Sequence, residues 1–330
     1  MRLEWEGRRE PAVEPLALPP GDPLLVHQDN LAALAGLAGR MARLVYLDPP
    51  FMTGDAFKMA GADAYRDDLA PDAYIQMLYE RLVLARRVLA PDGTIVVHLD
   101  HHASHAAKLV MDEVFGRFLN EIVWFYQGGA LTSVRRHLPR KHDVLLWYAN
   151  GPDHVFNPPR GARVSDPMAR RWGHYADAEG RVPFGRIRRE GQTHARLQRR
   201  FIRQHQRPPR DDEIAFVMQG SLLRSVWADI PEVRNSPRYA EASGYPTQKP
   251  LALLERIIKM TTHPGDLVID PFCGSGTTLL AADRQGRRWI GIDRSPAAIE
   301  TATRRLSHVD FARVGDLAAA EPTSRPTVTS

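Results

Sequence analysis

The sequence predicts an α/β fold, doubly wound around a mostly parallel seven-stranded sheet, with a further region inserted between its two halves. Three observations support this prediction. Short apolar runs alternate with longer runs of helical periodicity, which is the rhythm of βαβ units. Most of the short runs are continuously apolar, as expected of strands covered on both faces. The rhythm breaks off after residue 150 and returns at residue 244.

Seven apolar runs predict the strands. In chain order they are "LLVH" (24–27), "RLVYL" (43–47), "GTIVVHL" (93–99), "NEIVWFY" (120–126), "HDVLLWYA" (142–149), "DLVID" (266–270) and "RWIGID" (288–293).

The longest predicted helix lies between the second and third strands. It opens with Pro71, ends before Gly93 and carries an apolar face at helical spacing. That face consists of Tyr74, Leu78, Leu82, Ala85 and Leu89. Two more helices are predicted in "KPLALLERIIKMT" and "GTTLLAADRQG".

Composition divides the chain into five stretches. Residues 1–20, rich in proline, predict a flexible arm, and residues 311–330 predict a disordered tail. Residues 21–150 and 244–310 carry the two halves of the α/β domain. Residues 151–243, rich in Arg, Pro and Gly, form the inserted region.

A cytoplasmic protein is expected. The 330 residues include a single cysteine, Cys273, so no internal disulfide can form, which suits a reducing compartment. No apolar run approaches the roughly 18 residues of a membrane span, and the first residues lack the apolar core of a signal peptide.

Positive charge is concentrated in the inserted region. The window from Arg160 to Arg210 holds fourteen arginines, no lysine and four acids, so it carries +10 within a chain of net charge +5. A concentrated arginine field is typical of a nucleic-acid partner, and the alternative is a solvated arginine-rich surface. The candidate contacts, several of them in the basic helix "THARLQRRFIRQHQR", are Arg170, Arg171, Arg186, Arg188, Arg189, Arg196, Arg199, Arg200 and Arg203.

The stretch "RLVYLDPPF" ends a strand abruptly. Asp48 closes the apolar run, and Pro49 and Pro50 follow, which fix the backbone and donate no hydrogen bond. Phe51 adds an aromatic ring. A carboxylate, a rigid backbone and a ring are therefore placed at one edge of the sheet.

A second stretch, "DLVIDPFCGSGTTLLAADRQGRRWIGIDRS", predicts a cofactor site. A strand ends at Asp270, a turn carries Gly274 and Gly276, and the next strand ends at Asp293. Such an acid is placed to accept hydrogen bonds from ribose. The spacing is neither GxGxxG nor a P-loop, so a pyrophosphate is not the natural ligand. The acidic surroundings suit a nucleoside cofactor that carries an ammonium and a sulfonium.

Three motifs together resemble the S-adenosylmethionine-dependent amino-methyltransferases of DNA: "LDPPF" (47–51), "GYPTQKPLALLERII" (244–258) and "IDPFCGSGTT" (269–278), with "GID" (291–293) in support. The resemblance covers roughly residues 24–150 and 244–307. Because "LDPPF" precedes the glycine-bearing motif, the order is that of the family's β group. The resemblance implies a Rossmann-like methyltransferase fold in which residues 151–243 are the target-recognition region.

The resemblance also implies roles for individual residues. Asp48 and a carbonyl of Pro49–Pro50 would accept the amino hydrogens of a flipped base, and Phe51 would stack on it. The cofactor residues implied are Asp29, Thr247, Lys249, Asp270, Phe272, Gly274, Gly276 and Asp293. Asp293 would bind the ribose, and Thr247 and Lys249 the methionine carboxylate. Asp29 would contact the adenine of the cofactor or cap the following helix.

Several alternatives stay open at this point. Asp48 favours N6 of adenine over N4 of cytosine, although Phe51 departs from the usual adenine motif. Methylation of RNA or of a protein glutamine, and a non-catalytic DNA-binding module, are competing hypotheses. His101 and His105 have a spacing that could bind a metal, but methyl transfer needs none and we predict no metal site. The expected partners are double-stranded DNA and, by resemblance, a second copy of the chain and a separate restriction endonuclease.

Overall fold

A computed structural model describes residues 3–52, 56–59, 62–66, 69–126, 138–161, 166–233 and 241–315. The chain forms two compact units, one of Met1–Asn157 with Ser225–Ser330 and one of Pro158–Arg224. The second unit falls inside the predicted inserted region 151–243 and is shorter than it at both ends.

The described strands are β1 (Leu24–His27), β2 (Ala42–Leu47), β3 (Ala56–Met59), β4 (Ala62–Arg66), β5 (Leu89–Leu99), β6 (Phe118–Phe125), β7 (His142–Ala149), β8 (Arg181–Pro183), β9 (Ile214–Val217), β10 (Val226–Trp227), β11 (Leu267–Asp270), β12 (Arg288–Asp293) and β13 (Ala312–Val314). The described α-helices are α1 (Asn30–Gly36), α2 (Pro71–Val88), α3 (Ser104–Val114), α4 (Asp166–Trp172), α5 (Gly191–His205), α6 (Leu251–Thr261), α7 (Thr277–Arg284) and α8 (Pro296–Arg305).

The larger unit contains a nine-stranded sheet in the order β10-β6-β7-β5-β2-β11-β12-β1-β13. All seven predicted strands are present and form its middle, and the short strands β10 and β13 extend its edges. The pairs on both sides of β2, β11, β12 and β1 are parallel, whereas β7 runs antiparallel to β5 and β6. The fold is therefore the predicted, mostly parallel α/β type.

The sheet has a topological switch point between β2 and β11. From β2 the chain crosses through α2 to β5 on one side, and from β11 it crosses through α7 to β12 on the other. Ligands of open α/β sheets bind at the carboxyl ends of strands at such a point. Asp48, Asp270 and Asp293 stand at the carboxyl ends of β2, β11 and β12, so the switch point collects all three.

Helix α2 is shorter than predicted. It begins at Pro71 but ends at Val88, because Leu89 already pairs with Ala42 as the first residue of β5. Gly93 lies inside β5, where an added Cβ would come within 2.7 Å of the Ala42 carbonyl oxygen. The backbone of two strands meets there, so the glycine marks a close contact rather than a helix end.

The N-terminal segment packs on the larger unit and is not a loose arm. Leu3, Trp5 and Leu16 contact the apolar core beneath α2 and α3. The Trp5 indole donates a hydrogen bond to Gln76, and its ring meets Tyr79 edge-on at 5.2 Å. Proline content alone indicated flexibility, but the apolar side chains of the segment give it surface to bury.

The predicted C-terminal tail begins too early. Residues 312–314 form β13, which pairs with β1 in parallel register. Residues 316–330 lie outside the described residues.

The smaller unit has its own small core. Trp172, Val182 and Ile187 are buried at its centre, and β8 pairs with β9 in antiparallel fashion. The basic helix α5 spans Gly191–His205, close to the predicted stretch. Its Leu197 contacts this core and its Phe201 meets Phe184 edge-on at 5.5 Å.

Among the described helices, none combines the length and the apolar character needed to cross a membrane.

Candidate active site

A cavity of about 500 Å³ opens at the switch point of the sheet. It is large enough for a nucleoside-sized ligand. Eleven of the twelve predicted site residues of the larger unit line it: Asp29, Asp48, Pro49, Pro50, Phe51, Thr247, Lys249, Asp270, Phe272, Gly274 and Asp293. The twelfth, Gly276, has a structural role described below.

Of the two carboxylate oxygens of Asp48, one has a partner and the other has none among the described residues. Its Oδ2 lies 2.8 Å from Lys249 Nζ, and the two side chains are 18% and 12% exposed. Its Oδ1 is buried and has no hydrogen-bond partner among the residues that the structure describes. A buried acceptor without a partner is costly, so a ligand that donates a hydrogen bond would be bound favourably there.

Phe51 forms the wall beside Asp48. The Lys249 ammonium lies 4.9 Å from the centre of its ring. The ring also stacks against His98, with ring centres 6.1 Å apart and planes inclined by 26°. His98 is fully buried and does not line the cavity, so it supports the ring from behind.

A buried polar network holds His98. Its Nδ1 lies 2.8 Å from the Tyr46 hydroxyl and its Nε2 lies 2.9 Å from Asp143 Oδ2. Burial works to raise the pKa of Asp143, but its hydrogen bond and charge interaction with His98, the charge of Lys249 and the hydrogen bond from Tyr126 together outweigh it and leave that pKa below its usual value. The network therefore keeps an ionised carboxylate behind the aromatic wall.

Asp270 places a second carboxyl group at the cavity. It is only 2% exposed, and its Oδ1 accepts a hydrogen bond of 3.0 Å from the Phe272 amide. Burial raises its pKa to about 7, against the hydrogen bonds from Thr278 and Phe272, and the nearby charges of Asp48 and Asp293 add to the rise. A cation in the cavity would interact favourably with its ionised form.

The glycine turn brings backbone against the cavity. Gly274, at φ +48°, donates its amide to Asp293 Oδ2 at 2.9 Å, and the Ser295 amide donates to Oδ1 at 2.8 Å. Gly276 is the N-cap of α7 at φ +75°, where a Cβ would lie 2.9 Å from that of Ala302. Asp293 thus anchors the turn with both oxygens and still lines the cavity.

Asp29 caps a helix and also lines the cavity. Its side chain caps α1 by accepting a 2.9 Å hydrogen bond from the Leu31 amide. It also lines the cavity, where it lies 3.4 Å from the Arg81 guanidinium. Capping and ligand contact are therefore compatible at this position.

The sequence matches one known family over most of its length. The profile of the N6/N4 family, described as DNA methylase, matches residues 42–304. The chain belongs to the N6/N4 DNA methylase family. It is 30% identical over 321 residues to the type II methyltransferase M.EcaI of Enterobacter cloacae, which covers 88% of this chain and 70% of that protein. It is 28% identical to the DNA adenine methyltransferase YhdJ of Escherichia coli K12, over 86% of this chain and 82% of that protein.

Solved structures of similar fold include two methyltransferases. The complex of M1.HpyAVI with SAM aligns with a TM-score of 0.53 at 20% identity, over 86% of this chain and 98% of that one. The cytosine-N4-specific PvuII DNA methyltransferase aligns with a TM-score of 0.54 at 18% identity, over 87% of this chain and 86% of that one. At these identities the likeness concerns the fold.

Tyr46, Tyr245 and Arg81 are among the cavity residues of this DNA methylase that were not predicted from the sequence. Tyr46 lies on β2, two residues before Asp48 at the end of that strand. Because side chains alternate along a strand, both could have been expected on the same face of the sheet. Tyr245 lies inside the motif "GYPTQKP", and its ring meets the site of an added Gly274 Cβ at 3.4 Å. Arg81 carries no motif and reaches the cavity only because α2 packs beside α1.

His101 and His105, whose spacing was considered for a metal, do not belong to one cluster of possible ligands among the described residues. The donor atoms that lie within 4.8 Å of one another belong to Asp100, His101 and His102, and His105 is not among them. Asp100 already accepts hydrogen bonds from the amide and the ring of His102, at 2.8 and 2.7 Å.

All nine predicted DNA-contacting arginines lie on the smaller unit and are exposed. Two of them have acidic neighbours: Arg188 pairs with Asp211, and Arg171 lies 3.9 Å from Glu190. Four others stand on one face of α5, at Arg196, Arg199, Arg200 and Arg203. These four have no acidic partner within the described part of the chain.

Proposed function

We propose that this methylase transfers a methyl group from S-adenosylmethionine to the N6 amino group of adenine in double-stranded DNA. The unpartnered Oδ1 of Asp48 carries the proposal, because it lies beside Phe51 in the same cavity as Asp270 and Gly274. The site thus offers a hydrogen-bond acceptor for an amino group, a ring for stacking and an acidic pocket for a cationic cofactor.

The residues present fit S-adenosylmethionine. The cavity has the volume of a nucleoside site, its carboxyl groups suit the ammonium and the sulfonium, and the Gly274 backbone allows close approach. When bound, this cofactor supplies an electrophilic methyl group. We assign Asp270, Phe272, Gly274 and Gly276 to the methionine side, Asp293 to the ribose and Asp29 to the adenine end, with Thr247 and Lys249 near the carboxylate.

Asp48 makes the amino group a better nucleophile. The lone pair of an exocyclic amino group is delocalised into the ring, so attack requires the nitrogen to become tetrahedral. Asp48 Oδ1 can accept one amino hydrogen and a carbonyl of the rigid Pro49–Pro50 segment the other, which stabilises that geometry. As nitrogen gains the methyl group it loses one proton, and Asp48 is placed to hold the departing hydrogen.

The target base must leave the duplex to reach Asp48. An amino group inside a base stack is inaccessible, so we infer that the base is flipped and stacks on Phe51, a contact typically worth roughly 1–3 kcal/mol. The arginines on the smaller unit would then bind the phosphate backbone, with the free face of α5 contributing most. Residues 151–243 are thus the proposed target-recognition region.

N4 of cytosine is the second candidate. The same acceptors would serve a cytosine amino group, and one structural relative is cytosine-N4-specific. Adenine is favoured by Asp48 and by the similarity to an adenine methyltransferase. Methylation of structured RNA is a third candidate, which competition with duplex DNA tests directly.

Further partners are proposed by family resemblance. A second copy of the chain would make a homodimer, which light scattering of the purified protein would detect. A separate restriction endonuclease would recognise the same sequence, and protection of methylated DNA from cleavage would reveal it. We also propose a cytoplasmic location, where the protein would reach chromosomal DNA.

Labelled methyl transfer tests the activity. Purified protein, cofactor with a labelled methyl group and mixed-sequence duplex DNA should give labelled DNA. Asp48→Asn should lose at least about 100-fold in rate, the scale of one lost transition-state hydrogen bond acceptor. Asp72→Asn, an exposed carboxylate on α2, is the matched control and should retain full activity. Full activity of Asp48→Asn would refute the role of Asp48.

A further inference from the structure

The ammonium of Lys249 lies against both residues that the proposed target base would contact, although at Asp48 it pairs with Oδ2 and leaves Oδ1 without a partner in the described chain. Its Nζ lies 2.8 Å from Asp48 Oδ2 and 4.9 Å from the centre of the Phe51 ring. A flipped base would donate its amino group to Asp48 and stack its ring on Phe51. An ammonium is both a hydrogen-bond donor and a cation attracted to an aromatic face, so Lys249 contacts the same two residues.

Lys249 lies over the Phe51 ring, and both residues line the cavity. Lys249, Asp48 and Phe51 all line the cavity, whereas the His98 ring behind Phe51 is fully buried and does not. A stacked base lies about 3.5 Å from the ring beneath it, the optimal separation of carbon atoms. That space overlaps the position of the ammonium, so the base and Lys249 exclude each other.

The other carboxyl groups of the cavity have partners of their own, and Asp270 accepts the Phe272 amide. Asp29 already has Arg81 at 3.4 Å, and both oxygens of Asp293 accept backbone amides. Lys249 pairs with Oδ2 of Asp48, whose Oδ1 has no partner in the described chain. The ion pair is mostly buried, so solvent and salt weaken it less than they would a surface pair.

We propose that Lys249 blocks the target-base subsite in the empty enzyme and leaves it when the cofactor binds, so that base entry depends on the cofactor. The proposal rests on the proposed function. For transfer, the sulfonium must lie close to the amino nitrogen at Asp48, and two cations beside one carboxylate repel each other. The cofactor also brings a carboxylate, which offers the displaced ammonium a new partner.

The lysine sits on a segment with an unusual backbone. Thr247, two residues earlier, has φ +61°, a conformation that non-glycine residues seldom adopt. Strained positions of this kind concentrate at ligand-binding and switching segments. Lys249 itself is followed by Pro250, the N-cap of α6, so the side chain projects from a fixed point.

Base flipping in the presence and absence of a cofactor analogue tests the proposal. The target duplex would carry 2-aminopurine beside the target base, because this fluorophore brightens when its neighbour leaves the stack. The measured quantity is the ratio of the fluorescence increase with sinefungin, a charged analogue that transfers no methyl group, to the increase without sinefungin. For wild-type enzyme this ratio should be at least fivefold. Lys249→Met should increase the fluorescence without the analogue, so that its ratio falls below twofold.

A control variant and a second substitution isolate the effect. Lys259→Met removes an exposed lysine of α6 and should keep the wild-type ratio. Lys249→Gln keeps a hydrogen-bond donor for Asp48 but removes the charge, and its fluorescence ratio should also fall. This variant replaces Lys249→Met in the test if Lys249→Met shows no cooperative thermal transition. An unchanged ratio in a folded Lys249 variant overturns the proposal.

The two proposals fail in different ways. Wild-type enzyme that labels no DNA would refute the proposed function. The blocking role alone would be refuted if wild-type enzyme labels DNA but base flipping by a Lys249 variant still depends on the cofactor.

Discussion

The charge state of Asp270 predicts how cofactor affinity depends on pH. The carboxyl group is buried, and burial raises its pKa to about 7 in the free enzyme. A cationic cofactor interacts favourably only with the ionised form, so binding lowers this pKa and expels the proton. Affinity should therefore increase as the pH rises through about 7.

The size of this effect follows from the pKa. At pH 6 about one Asp270 in eleven is ionised, and at pH 8 about ten in eleven, so affinity should be roughly tenfold weaker at pH 6, or about 1.4 kcal/mol. Binding at pH 6 should release about 0.9 proton per cofactor. Isothermal titration calorimetry in two buffers of different ionisation enthalpy measures both quantities.

Asp270→Asn is the reference for this measurement. It keeps the shape and removes the charge, so it should bind the cofactor weakly with no proton release from this position. Subtracting the proton release of Asp270→Asn from that of wild-type protein also removes the contribution of the cofactor's own amino group. Identical pH dependence and identical proton release in wild-type and Asp270→Asn protein would refute the role of Asp270.

The same pKa has a consequence for stability. Because the folded-state pKa lies above the unfolded value of 3.8, the contribution of Asp270 is fully present below pH 3.8 and is lost as the pH rises through about 7. Between pH 5 and pH 8 the free enzyme should lose more unfolding free energy than Asp270→Asn does, as urea titrations would show.

Three further predictions concern the rest of the molecule. Gly276→Ala should lower the unfolding free energy by more than Gly39→Ala, since both have positive φ, costing about 1–2 kcal/mol, but only Gly276 has a neighbouring Cβ at 2.9 Å; equal losses in urea titrations would contradict the packing. Arg200→Gln should reduce the slope of log DNA affinity against log salt by about one, whereas Arg207→Gln, already paired with Glu213, should change it less; equal slopes would argue against the α5 face. Trp5→Ala should lower the thermal midpoint, by an amount that corresponds to roughly 2–3 kcal/mol, and an unchanged midpoint would mean that the N-terminal segment adds no stability.

The central sheet and the cavity were predictable because they depend on local patterns. Continuous apolar runs gave all seven strands, and strands that end on Asp48, Asp270 and Asp293 place carboxyl groups at one edge of a parallel sheet. The helix caps and turns, such as Gly276 before α7, follow the same local rules.

The remaining features depend on contacts between residues distant in sequence. The pairing of Lys249 with Asp48 joins two motifs about 200 residues apart, and no local pattern reveals it. The docking of Trp5 on Tyr79 is of the same kind. Charge counting likewise overestimated the free positive charge, because Arg188 is neutralised by a nearby acid and Arg207 by Glu213.

Nucleoside analysis of treated DNA tests the central claim most directly. Duplex DNA incubated with wild-type protein and S-adenosylmethionine, digested and examined by mass spectrometry, should contain N6-methyladenine. DNA treated with Asp48→Asn should contain at least about 100-fold less, and DNA treated with Asp72→Asn as much as with wild type. N4-methylcytosine instead of N6-methyladenine would show that cytosine is the target base. The absence of any methylated nucleoside, or full methylation by Asp48→Asn, would contradict the proposed function.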